Sequence, residues 1–113
     1  MPSFLSQTAT FFQTGNTPGL TINVPTTGQT YKMVSGQREV YFNHAGTIAA
    51  LTVWLPPGPK PGDVVSLKFR SIVTTLSVRN AAGVVVTGAP VTATAAQVQT
   101  YRYVDNTTGW MYW

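Results

Sequence analysis

The sequence contains no cysteine, which excludes disulfides and thiolate metal sites and fits folding in a reducing cytosol. Charge is scarce. Lys, Arg, Asp and Glu make up 9% of the 113 residues, against roughly a quarter in an ordinary soluble domain. Three carboxylates and one His leave few groups able to act as acid, base, nucleophile or ligand. The net charge of +4 comes from sparing use of acids and not from clustered bases. Lys32, Arg38, Lys60, Lys68, Arg70, Arg79 and Arg102 are scattered, without the stripe that displaces counterions from nucleic acid. Long apolar runs are also missing, which excludes a transmembrane helix. Residues 1–12 carry neither the basic nor the continuous apolar region of a signal peptide or membrane anchor.

What is present favours strands. The chain is 43% apolar and rich in Thr and Val, whose branched side chains fit a pleated surface, with Gly and Pro as punctuation. Its length suits one domain with one core. Residues 1–19 read as an N-terminal arm or short helix: Phe4, Thr8, Phe11 and Phe12 share a helical face, but Thr and Ser are indifferent helix formers. Residues 20–113 read as the β domain. Period-two alternation predicts a strand over 20–24, closed by Pro25 and Gly28, with residues 30–34 as its partner. Further strands are predicted over 39–43, 49–55, 64–69, 72–78, 83–86, 97–104 and 109–113. Val40 and Phe42 share one face, as do Leu51, Val53 and Leu55, and then Val65, Leu67 and Phe69. Trp54 falls on the side opposite Leu55, facing outward or toward a second layer.

The run Pro56-Pro57-Gly58-Pro59-Lys60-Pro61-Gly62-Asp63 lacks the amide donors of a ladder and reads as a stiff exposed connector. Asn80 to Gly83 reads as a hairpin-type turn. Thr21-Ile22-Asn23-Val24-Pro25 and Thr52-Val53-Trp54-Leu55-Pro56 echo each other faintly, and the similarity of one hairpin to another accounts for it. Many short strands with frequent turns predict an all-β, single-domain sandwich or jelly-roll-like barrel of about eight short antiparallel strands.

Few constellations could carry chemistry. Glu39, Asp63 and Asp105 are far apart, and turn capping explains the two aspartates more simply than acid–base work. His44 lies in the turn Asn43-His44-Ala45-Gly46 with no second ligand at metal-binding spacing. Neither Ser35 nor Ser71 sits in a nucleophile elbow. The glycines do not form a phosphate-cradling loop. No enzyme, cofactor or metal is therefore expected. Tyr101-Arg102-Tyr103 and Lys68-Phe69-Arg70 interleave aromatic and basic residues as single-strand binders do. Alternation, however, turns Arg102 away from both tyrosines, leaving a nucleic-acid-binding barrel as an alternative. The most unusual feature is Trp110-Met111-Tyr112-Trp113. Period two puts Trp110 and Tyr112 on one side and Met111 and Trp113 on the other, so either both pairs enter the core or one is left for another chain.

At Leu55-Pro56-Pro57-Gly58-Pro59-Lys60-Pro61-Gly62-Asp63-Val64-Val65, then Val78-Arg79-Asn80 and the closing Asp105-Asn106-Thr107-Thr108-Gly109-Trp110, the chain resembles β-rich modules of tailed-bacteriophage structural proteins. The shared pattern is strand, Leu-Pro, a Pro-rich loop, Gly-Asp, strand, and a terminal Gly-Trp-aromatic strand, over about half the chain. Such modules occur in fibres and spikes, and similar small all-β chains serve as capsid decoration, or cement, proteins. Here the module is nearly the whole polypeptide, which favours decoration over a fibre tip. The resemblance implies a non-enzymatic virion protein on the outer capsid surface, made in the host cytoplasm. It would bridge major capsid protein subunits, acting as a dimer or trimer without cofactor or membrane. The contacts would involve Phe4, Phe11, Phe12, Trp54, Trp110 and Trp113. A phage fibre or receptor-binding module is the nearest alternative.

Overall fold

The computed structural model describes residues 20–113, and all regular elements among them are β-strands. They are β1 (Leu20–Asn23), β2 (Gln29–Lys32), β3 (Glu39–Phe42), β4 (Ile48–Trp54), β5 (Val64–Phe69), β6 (Val73–Arg79), β7 (Val98–Tyr103) and β8 (Trp110–Tyr112). One sheet has the order β1-β3-β5-β7-β8 and the other the order β2-β4-β6. The predicted arm or helix over residues 1–19, with Phe4, Phe11 and Phe12, lies outside the described residues.

The all-β, two-sheet architecture is as expected, but the strand pairing corrects the expectation that the strands are antiparallel. Through β6 the chain crosses from one sheet to the other at every strand. Each coil thus gives one strand to each sheet, and successive coils lie side by side in parallel. Only β5 with β7, and β7 with β8, are antiparallel. Residues 30–34 accordingly do not pair with 20–24: Tyr31 lies beside Val53 and Ile22 beside Tyr41. The physical reason is in the connections. No two-residue hairpin loop joins strands among the described residues. The link between β1 and β2 holds Pro25 and Gly28 (φ 81°), which carry the chain across the roughly 10 Å between sheets. That link is tied to the next coil, with the Gly28 amide donating to the Ala50 carbonyl at 2.8 Å and Ala49 donating to Thr27 Oγ1 at 3.0 Å.

The core is a set of rungs running across the sheets. Val40 and Leu67 adjoin, as do Phe42 and Phe69, Leu51 and Leu76, and Val53 and Val78, all buried. In the first coil the same inward positions carry Thr21, Asn23, Gln29 and Tyr31, so this end of the stack is polar, as the terminal units of stacked repeats are. At the far side of β5, Gln99 lies beside Leu67 and is fully buried. It accepts from Tyr101 Oη at 2.7 Å and donates to the Thr92 carbonyl at 3.1 Å. The faint echo between residues 21–25 and 52–56 is not the repeat, because it matches a strand of one sheet with a strand of the other. The structural repeat aligns Gln29-Thr30-Tyr31-Lys32, Leu51-Thr52-Val53-Trp54 and Leu76-Ser77-Val78-Arg79.

Trp54 lies on the outer side of β4, half-buried under a cover of its own chain. Lys32 Nζ is 4.4 Å from the ring centroid. Asn80 to Gly83 form the predicted turn, closed by the Gly83 amide on the Asn80 carbonyl at 3.0 Å, but beyond it there is only an isolated bridge between Arg79 and Val85 and no strand over 83–86. Gly83 has φ 85°, and a Cβ there would come within 3.0 Å of Trp54 Cη2. Gly83→Ala is expected to lower stability by about 1–2 kcal/mol in thermal unfolding, from left-handed strain plus displacement of the indole. Adding Trp54→Leu should relieve only the second part.

Candidate interaction surface

Both aspartates are held by local turn structure. Asp63 closes the Pro-rich connector: its carboxylate accepts from the Lys60 amide at 2.9 Å and lies 3.2 Å from Arg38 Nη1. The Lys60 amide foremost, with Arg38 beside it, holds the Asp63 carboxyl below the usual carboxylate range. Asp105 accepts from the Thr107 and Thr108 amides, and the Thr108 amide chiefly lowers its pKa. Glu39 is exposed on the outer side of β3. No group of three His, Cys, Asp or Glu able to hold a metal occurs among the described residues.

His44 is buried, and its Nε2 is 2.9 Å from the Ser71 carbonyl, which makes Nε2 the protonated nitrogen. Its neighbour is therefore the backbone of Ser71 and not a hydroxyl nucleophile. The contact ties the turn after β3 to the turn after β5. A cleft of about 210 Å³ lies between the Pro-rich connector and residues 35–38. Several of its polar groups are already matched: Arg38 faces Asp63 and Gln37 donates to Tyr31 Oη at 2.7 Å.

The basic residues are dispersed over different surfaces. Lys32 covers Trp54, Arg79 donates to the Gly83 carbonyl, Arg38 meets Asp63 and Arg70 donates to Asn43. Lys68 and Arg102 lie on the outer side of the five-stranded sheet, four residue rows apart along the strands.

The terminal aromatics divide as their period predicts. Trp110, 6% exposed, enters the core and meets Tyr103 edge-on at 5.5 Å. Tyr112, on the same side, packs against Tyr101 at 5.6 Å. Met111 lies opposite Arg102, and Trp113, 62% exposed, carries the Arg102 guanidinium 4.6 Å from its ring centroid. Arg102 Nε is buried without a hydrogen-bond partner. The Trp113 amide donates to the Thr100 carbonyl and the Val104 amide to the Gly109 carbonyl. By the alternation of an antiparallel ladder, the backbone N–H and C=O of Tyr112 then point away from β7, toward the open edge of the sheet. The structure thus combines a strand edge unpaired among the described residues, exposed Met111, Tyr112 and Trp113, and a cation laid on the last indole. Of the sequence-derived contact residues, Trp113 is on this surface, Trp110 anchors it from within and Trp54 is covered elsewhere.

A second surface escaped the sequence reading. In β1 the polar residues Thr21 and Asn23 face inward, beside Val40 and Phe42, while Leu20 and Ile22 face outward. The parallel register with β3 decides which side is inward. Ile22 is 55% exposed, and with Leu20, Tyr41 and Val98 it lines one part of the outer face. Alternation alone marked both sides of β1 but not which one was covered.

Comparison of the chain with protein families, with curated proteins and with solved structures gives no match.

Proposed function

We propose that this chain is a non-enzymatic structural protein of a tailed-phage virion, which binds the outside of the capsid and stabilises it by bridging major capsid protein subunits. The observation that carries this reading is the β8 edge, where Met111, Tyr112 and Trp113 are exposed beside backbone groups that no described residue pairs. Such an edge accepts an extended segment of another protein as an added strand, with aromatic anchors supplying apolar burial and Arg102 pairing an acidic neighbour. The resemblance of residues 49–113 to phage modules supplies the partner class. Copies arranged as dimers or trimers would occupy repeated positions on the shell.

The test is the thermal stability of cognate heads with and without the purified chain. Added protein should raise the melting temperature of the heads. Trp113→Ala should remove an anchor worth about 2 kcal/mol, weakening attachment roughly 30-fold with little change in the melting of the free chain. Heads that melt identically with and without saturating native protein would refute the proposal. The exposed indole of Trp113 beside Arg102 also favours a fibre or receptor-binding module, since a flat aromatic face stacks on sugar rings. Glycan binding by a free trimer, without attachment to heads, would decide for that alternative.

A further inference from the structure

We propose that the outer face of the five-stranded sheet seats a second copy of this chain, across a two-fold axis that sets Glu39 of each copy against Lys68 of the other. Glu39 on β3 and Lys68 on β5 are both exposed on this face. Glu39 lies beside Ser66 and Tyr41 beside Lys68, so the two charges are diagonal neighbours, one strand and two residues apart. Their Cα atoms are thus separated by roughly 8 Å. They do not pair with each other: the only ion pair among the described residues joins Arg38 to Asp63. Residues 1–19 contain no charged side chain, so no side chain there neutralises either group. The setting of these charges is apolar. Leu20, Tyr41 and Val98 line a groove of about 290 Å³ with Glu39 and Lys68 at its sides, and Ile22, in the same row as Tyr41, is 55% exposed.

The occupant follows from charge, symmetry and area. A partner of one charge sign satisfies one of the two groups and opposes the other, whereas a copy of the chain brings both signs at the spacing required. A two-fold lying between two facing sheets exchanges any two points that it bisects. Placed midway between Glu39 and Lys68, it makes two carboxylate–ammonium contacts, one on each side of the axis. By the ladder register the same axis runs close to Tyr41 and Ile22, which then pack against their own counterparts. The area sets the strength. Strands β1, β3, β5 and β7 are four to six residues long. Together they offer roughly 19 by 17 Å, on the order of 300 Å² of projected face per copy, which places the dimer among weak, reversible associations. The strand order leaves β8 beyond β7, away from the axis. Each dimer therefore carries two β8 edges, and bridging two capsid subunits requires two. That consequence rests on the capsid reading of β8, while the dimer itself does not.

The test is the mass of the free full chain by sedimentation equilibrium, at low salt and at concentrations up to about 1 mM, where a weak dimer is populated. The native chain should approach twice its monomer mass. Lys68→Glu and Glu39→Lys each place two like-charge pairs in the interface and should weaken association at least about ten-fold. An equimolar mixture of these two variants restores opposite charge at both contacts, as does the double exchange Glu39→Lys with Lys68→Glu. Both should recover the native dissociation constant to within about three-fold. Lys60→Glu, the same charge change at an exposed position of the Pro-rich connector, should leave the mass unchanged. Circular dichroism showing retained strand content separates lost association from lost fold. A native chain that stays monomeric, or a mass of three copies, would overturn the proposal. So would single variants that associate like the native chain, a loss that neither the mixture nor the double exchange repairs, or an equal loss from Lys60→Glu. These masses are read without heads, so their outcome is independent of head melting.

Discussion

Phe42→Ala should cost about 3–5 kcal/mol of folding stability, a large share of what a domain of this size possesses. Phe42 is fully buried on the middle strand of the parallel run, stacked on Phe69 at 5.2 Å and 17° and meeting Tyr31 edge-on at 5.6 Å. It therefore touches both its neighbour in the rung and the opposite sheet. Truncation removes both contacts, and the cavity is hard to collapse because rigid strands flank it on either side. Phe42→Leu keeps most of the volume and should cost about 1–1.5 kcal/mol. Urea unfolding of the three proteins, with equal slopes, checks the ordering. A Phe42→Ala midpoint close to that of the native chain would mean that the rungs are not the source of cohesion.

The second large effect is alkaline destabilisation through Tyr101. Its phenol is fully buried, and burial foremost, with Tyr112 nearby, pushes its pKa well above the ordinary value of 10.0. Above that ordinary value the unfolded chain releases this proton while the native chain keeps it, so the native state binds more protons. Stability from this group is complete below pH 10 and declines as pH rises through the native pKa, by up to about 1.4 kcal/mol per pH unit. Two units above pH 10 should therefore cost roughly 2–3 kcal/mol. Tyr101→Phe should remove that slope. At neutral pH it should cost about 1 kcal/mol, because the 2.7 Å hydrogen bond to Gln99 is lost. Urea midpoints measured from about pH 8 to about pH 12 for both proteins separate the two effects. Parallel curves would rule out Tyr101 as the origin.

Much of the local structure is legible in the residues. Leu51, Val53 and Leu55, like Val65, Leu67 and Phe69, show their core side by alternation alone, and the structure buries all six. Strand partnership is different. Period two is the same whether a strand pairs parallel or antiparallel, so residues 20–24 and 30–34 look like a hairpin although they belong to separate sheets. The informative signal lay in the recurring tetrapeptides at 29–32, 51–54 and 76–79, each with a small hydroxyl residue second and a long or aromatic residue last, but their spacing is irregular. For the interaction surface, the division of Trp110 and Tyr112 from Met111 and Trp113 followed from period two, while the cover over Trp54 did not. That cover depends on Gly83, nearly thirty residues away, which only the folded chain brings beneath the indole. The inner side of β1 was hidden for a related reason, since it is chosen by the neighbouring strand.

Crossing between sheets at each strand also limits how such a molecule can change size. One additional turn of the chain would widen both layers together, by the roughly 4.8 Å between neighbouring strands, and would move the two ends of the molecule apart by that same increment. Growth of this kind fits the oily middle turns best, because polar Thr21, Asn23 and Gln29 line one end of the described stack. Variants of different width would then share the same two faces of attachment, set at different separations.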